Sequence, residues 1–263
     1  MTELKIATIS LDITWADVEE NLYAVEASIR RLDKNTDLVV LPELFTTGYL
    51  SSPELLYKFA EEEKYSKTLD SLHEWSKKYN VAITGSFLVR VDDKFYNRGF
   101  FIEPSGDETF YDKTHLFSLS NESKTLTPGV APIPVVRFRG WNIALAVCYE
   151  LRFPVWLRNT DNRYDVLVIP ANWPSKRAYA WKHLLIARAI ENQAYVIGVN
   201  RSGKDDSGSY DDMTYVFNYI GKPVETKEIA NTGISTALLD RDRLLSYREA
   251  YPFWEDADRF ILK

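Results

Sequence analysis

Two six-residue segments, DLVVLP at 37–42 and DVLVIP at 165–170, constrain the fold of this chain most strongly. Each opens with aspartate, carries an uninterrupted apolar run centred on valine (Val40 and Val168), and closes with proline. A strand with one wet face alternates polar and apolar residues. An unbroken apolar run is buried on both faces, as at the parallel centre of an α/β sheet. Helical stripes accompany these strands. Val18, Leu22, Val25, Ile29 and Leu32 recur at spacings of 4, 3, 4 and 3 behind an N-terminal Asp17. Trp181, Leu185, Arg188 and Asn192 share one face of a helix predicted over 178–192, and a further helix is expected over 66–79. Strands alternating with helices exclude all-α and all-β folds. The repeated segment, each copy following a helical stretch, predicts two similar halves stacked sheet to sheet. The expected fold class is therefore α/β: a four-layer α-β-β-α sandwich of two stacked mixed sheets with pseudo-twofold halves.

Further strands are predicted at 4–13, 81–89, 98–103, 108–113, 141–148, 195–200 and 213–221, with Pro104-Ser105-Gly106-Asp107 as a hairpin turn. A short helix is expected over 154–159. The tail begins helical near 240 and breaks near Pro252. No Gly, Pro or Ser-rich linker divides the chain, which reads as one domain over 1–263.

Composition narrows the function. With 263 residues, 45% of them hydrophobic, the chain can bury a large core. The net charge of −6 is opposite to the basic footprint of a nucleic-acid binder. No run of about 18 apolar residues is present to span a membrane, and Met1-Thr2-Glu3-Leu4-Lys5 does not lead into an apolar signal segment. A cytoplasmic protein is expected. The single cysteine forms no internal disulfide. His73, His115 and His183 are too scattered for a zinc-type cluster. The dinucleotide, phosphate-loop and serine-elbow motifs are missing.

Three strand ends carry groups capable of chemistry. Cys148, in LAVCYELRFP, ends a strand and precedes a turn or helix start. It is either a small buried hydrophobe or a thiol activated by a helix N-terminus, which would lower its pKa. Glu43, in LPELFTTGY, follows a buried strand among Leu41, Leu44 and Phe45. It is either a loop charge or a partly desolvated base aimed into a crevice. Lys113, in FYDKTHLF, is either a surface lysine or an oxyanion stabiliser in an apolar pocket. Glu150, two residues past the thiol, is the base suggested by proximity alone.

Together these three motifs resemble the nitrilase, or carbon–nitrogen hydrolase, superfamily, whose Glu-Lys-Cys triad runs in this order. The stretches ANWP and ARAIENQAYVIGVNRSG also resemble it, so the similarity covers nearly the whole chain. NESKTLTPG and REAYPFWEDADRF are most similar to the omega-amidase branch. The resemblance implies catalytic Glu43, Lys113 and Cys148, with Glu122 and the backbone N–H of Tyr149 in support. Glu150 is left a supporting or structural part. It also implies no metal or cofactor, a small-molecule amide substrate, and a homodimer or larger homo-oligomer. Phe117 and Trp173 are expected to wall the pocket, and Arg177, with Lys176 beside it, to meet a substrate carboxylate. Alternatives that keep the triad are a nitrilase, a carbamoylase or another amidase; a non-enzymatic binding protein is the contrasting class. Where relatives commonly carry Gly-x-Ser before the late strand, this chain reads YDDMTYVFNYIG, with Thr214 in place of the serine.

Overall fold

The computed structural model describes residues 2–205, 208–230 and 232–261. The segment Leu38–Val40 lies at the centre of a large sheet, parallel to Glu3–Ile9 on one side and Ala82–Val91 on the other. Val166–Ala171 occupies the same position in a second sheet, parallel to Trp141–Leu145 and to Tyr195–Asn200. Each parallel centre is extended by antiparallel strands. Among the described residues the first sheet has eight strands, running Thr226–Ile229, Ile234–Asp240, Glu3–Ile9, Leu38–Val40, Ala82–Val91, Lys94–Ile102 and Glu108–Asp112, with Glu61–Glu62 beside Ala82–Val91. The second has five, running Tyr215–Phe217, Tyr195–Asn200, Val166–Ala171, Trp141–Leu145 and Val135–Phe138.

Side-chain alternation along these strands sorts residues into layers. Leu4, Ile6, Leu38 and Val40 face the second sheet, where Ile143, Leu145, Val166 and Val168 meet them. The intervening Ala7, Ile9, Val39 and Leu41 pack instead with Leu22, Val25, Leu72 and Trp75 of the helices Val18–Ile29 and Lys67–Tyr79. Leu167 and Ile169 likewise pack with Trp181 and Leu185 of the helix Ala178–Asn192. The four-layer α-β-β-α sandwich of two stacked mixed sheets follows from this alternation. Among the described residues no helix is long and apolar enough to cross a membrane.

The two halves share backbone detail. Asp37 accepts a hydrogen bond from the N–H of Lys5, and Asp165 accepts one from the N–H of Asn142, each on the neighbouring parallel strand. The reciprocal bonds, from Asp37 N–H to Lys5 C=O and from Asp165 N–H to Asn142 C=O, are both 2.8 Å.

Several elements differ from the sequence expectation. The strand predicted over 141–148 ends at Leu145, and a 3-10 turn spans Cys148–Arg152. The helix expected over 154–159 is an irregular turn. The strand expected over 213–221 is reduced to Tyr215–Phe217, because Asn218 and Lys222 close a turn immediately after it. The helix expected to reach Leu32 ends at Ile29. The strand expected from Arg98 begins at Lys94, since Asp92, with φ of 52°, allows a tight hairpin after Val91.

Candidate active site

The C-terminal ends of the parallel strands open onto a cavity of about 280 Å³. Glu43 reaches it just past Leu38–Val40. The chain turns sharply there: Leu44 has φ of 48°, its N–H donates to Ser86 Oγ, and the Phe45 N–H donates to Ser86 C=O. Lys113 follows Glu108–Asp112 and is held on both sides of its peptide. Its N–H donates to Asn97 C=O, and its C=O accepts from Gly129 N–H. Only glycine fits at 129, where a Cβ would stand 1.9 Å from the Asp112 carbonyl oxygen. Cys148 opens the 3-10 turn with φ of 46°, a left-handed conformation that costs a non-glycine residue about 1–2 kcal/mol. Glu122 starts the short helix Glu122–Thr125.

These four side chains meet in a dry floor, with relative exposures of 4% for Glu43, 2% for Lys113, 3% for Glu122 and 8% for Cys148. The Lys113 ammonium donates to Glu43 Oε1 at 2.9 Å and to both Glu122 oxygens at 2.8 and 3.1 Å. Glu43 Oε1 also accepts from Asn97 Nδ2 at 2.8 Å, and its Oε2 from the Asn172 N–H at 2.8 Å. Glu122 Oε2 accepts from the Phe117 N–H at 2.7 Å. Burial of Glu122 removes the surface-charge reading of that residue.

Electrostatics set the protonation states. Burial alone depresses the Lys113 pKa, but the charges of Glu122 and Glu43 outweigh it and hold the pKa well above the usual lysine range. Burial raises the Cys148 thiol well above its usual range, and the Glu43 charge raises it further; Lys113 and the Asn172 amide oppose this. The thiol pKa is therefore raised, not lowered by a helix N-terminus as the sequence suggested. A single five-residue 3-10 turn supplies little dipole against full burial beside a carboxylate. The raised thiol pKa keeps Cys148 protonated at rest, beside the Glu43 carboxylate.

Tyr149, Phe117, Trp173, Lys176 and Arg177 all line the cavity. Phe117 packs edge-on against Tyr149 at 5.0 Å, and the Arg177 guanidinium lies 5.0 Å from the Phe117 ring centre. Thr214 does not line it. The profile of the carbon-nitrogen hydrolase family matches residues 5–249.

The chain belongs to the carbon-nitrogen hydrolase family. It is a hydrolase of carbon–nitrogen bonds other than peptide bonds. It is 37% identical to "Omega-amidase YafV" of Yersinia enterocolitica over 265 aligned residues, all of both chains. It is 33% identical to "2-oxoglutaramate amidase" of Bacillus subtilis, covering 95% of this chain and 96% of that one. Among solved structures, a CN-hydrolase superfamily protein from Xanthomonas campestris, which carries an arsenic adduct in its active site, superposes with a TM-score of 0.93. That protein is 35% identical, with full coverage of both chains.

Several groups at the hydrolase site escaped sequence reasoning. Asn97 bonds Glu43 and reaches Glu122 at 3.4 Å, yet lies mid-strand with no local mark. Asn172 contributes its backbone, which any residue but proline carries. Arg152 lines the cavity 4.9 Å from the Trp173 ring centre and pairs with no acid among the described residues. Its place four residues after Cys148, within one short turn, is the signal that would have found it. Tyr49 and Tyr210 complete the wall.

Proposed function

We propose that this hydrolase is an omega-amidase, cleaving the terminal amide of small dicarboxylic acid monoamides such as 2-oxoglutaramate and 2-oxosuccinamate to the acid and ammonia. The observation that carries the chemistry is the meeting of Glu43, Lys113 and Cys148 in one buried floor, with Glu43 bonded to the Lys113 ammonium at 2.9 Å and its charge holding the Cys148 proton. The full-length relatives named as omega-amidase and 2-oxoglutaramate amidase support the substrate class. The cavity, at the small end of the roughly 300–1,000 Å³ typical of ligand pockets, suits a short acid.

In this reading Glu43 takes the Cys148 proton as sulfur attacks the amide carbon. Lys113 and the Tyr149 backbone N–H hold the oxyanion. The C–N bond breaks as Glu43 returns the proton to the leaving nitrogen, giving ammonia and a thioester. Glu43 then takes a proton from water, whose oxygen attacks the thioester carbon. Collapse of that adduct breaks the C–S bond, and the sulfur recovers the proton. Glu122 holds Lys113 in place throughout. Arg177, Lys176 and Arg152, on the cavity wall, meet the distal carboxylate; arginine is suited to bind it with two parallel hydrogen bonds. The exposed Tyr179 and Ile190 on Ala178–Asn192 support a homodimer through that helix, which sedimentation would measure.

The deciding experiment screens ammonia release across omega-amides, simple amides, nitriles and carbamoyl compounds. Preference for omega-amides is expected, with no turnover by Cys148→Ala or Cys148→Ser and an acyl adduct on Cys148 by mass spectrometry. Preference for nitriles or carbamoyl compounds would move the chain to another branch. Full activity of either cysteine variant would end the mechanism. Arg152→Ala and Arg177→Ala are expected to raise KM for carboxylate-bearing amides about tenfold or more, and for neutral amides far less.

A further inference from the structure

Glu150 is a fully buried carboxylate beside the nucleophile, and no lysine or arginine pairs with it among the described residues. Its charge is met by hydrogen-bond donors. Oε1 accepts from the Thr114 N–H at 3.0 Å, the His115 N–H at 3.2 Å and the Tyr111 hydroxyl at 2.5 Å. Oε2 accepts from the Val147 N–H at 2.8 Å. The Trp156 indole N–H in turn donates to the Tyr111 hydroxyl at 3.2 Å. His115 Nδ1 lies 3.6 Å from Oε1, and its ring stacks on Phe153.

The placement of these donors is informative. Thr114 and His115 directly follow Lys113, and Val147 directly precedes Cys148. One carboxylate thus joins two backbone segments that approach from different sheets. Its two oxygens divide the work, one on the lysine segment and one on the cysteine segment. We propose that Glu150 is a positioning residue for the reaction, clamping the backbone after Lys113 to the backbone before Cys148 so that ammonium and sulfur keep a fixed separation.

A carboxylate suits this role where an amide does not. Both oxygens must accept, and a glutamine would turn its NH2 toward either the Val147 N–H or the Thr114, His115 and Tyr111 donors. The left-handed Cys148 also needs support from outside its own turn, because the conformation is not one its backbone prefers. Arg188 holds the far end of the same turn, donating to the Leu151 carbonyl at 2.8 and 3.1 Å. Among the described residues of that turn, Glu150 alone hydrogen-bonds the backbone that follows Lys113.

The inference rests on the thioester mechanism proposed above, so the test uses a readout independent of amide turnover. Glu150→Gln and Tyr111→Phe are made in the full chain. For each, kcat and KM for ammonia release are measured, together with the pH profile of Cys148 alkylation by iodoacetamide. Glu150→Gln is expected to lower kcat about 10- to 100-fold with KM changed less than about threefold. Its alkylation midpoint is expected to move to higher pH, because the Lys113 charge that favours the thiolate is no longer fixed beside it. Tyr111→Phe removes one donor of four and is expected to lower kcat about two- to fivefold. A folded Glu150→Gln with unchanged kcat, or with an unmoved alkylation midpoint, overturns the proposal. If that variant does not fold, Tyr111→Phe decides: an unchanged kcat and alkylation profile overturns it. If the wild-type chain releases ammonia from no amide, the functional reading fails, and the alkylation comparison still tests the clamp.

Discussion

The strand-end segments 37–43 and 165–172 are built alike and end differently. Both begin with an aspartate bonded to the adjacent parallel strand, and both fill the centre of a three-strand parallel core. The first turns at Pro42 and delivers the Glu43 carboxylate into the cavity. The second continues as strand through Pro170 to Ala171 and delivers the Asn172 N–H, which donates to Glu43. The repeated frame makes the scaffold, and the chemistry arises where the repeat fails. The anchoring aspartates differ too. Asp37 pairs with Arg139, about a quarter exposed, whereas Asp165 holds the equally exposed Arg241 and the buried Arg248 of the C-terminal helix Arg241–Ala250.

The sharpest way to break this comparison is Glu43→Gln, which keeps much of the hydrogen-bonding shape and removes the proposed base. A loss of kcat of about 10³-fold is expected, with the thermal midpoint nearly unchanged; retained turnover would place the base elsewhere. The two aspartates come next. Asp165→Ala strands the buried Arg248 and is expected to cost about 3–5 kcal/mol in urea unfolding. Asp37→Ala leaves a solvated arginine and is expected to cost about 1–2 kcal/mol. Equal losses would show that the halves are energetically equivalent. The smallest effect concerns the thiol. Burial and Glu43 make the folded chain bind the Cys148 proton more tightly than the unfolded chain does. That stabilisation is complete below the ordinary thiol range, near pH 8.5, and drains away as pH rises through the folded value. Glu43→Gln is expected to move Cys148 alkylation to lower pH, by removing the charge that holds the proton.

Much of the frame was legible because it depends on local pattern. The helix predicted over 178–192 matches Ala178–Asn192, and the strand predicted over 195–200 matches Tyr195–Asn200. The motif residues Glu43, Lys113 and Cys148 are visible because strand ends concentrate chemistry in α/β folds. What escaped depends on partners distant in sequence. Ile234–Asp240 is broken by Ser235 and Thr236 and takes its place by pairing antiparallel with Glu3–Ile9. The last residues before Cys148 look like strand, but the ladder ends at Leu145 and the chain turns at the left-handed Cys148. Asn97 becomes a site residue only because Ala82–Val91 and Lys94–Ile102 form a hairpin beneath Glu43.

The charge balance of the floor has a consequence for the end of the catalytic cycle. Two carboxylates surround one ammonium, an arrangement that tolerates a neutral amide head. Hydrolysis converts that head into a third carboxylate in the same dry space. Like charges a few ångströms apart repel strongly at low dielectric. On the proposed mechanism, the floor that makes the product also repels it, and that repulsion favours release.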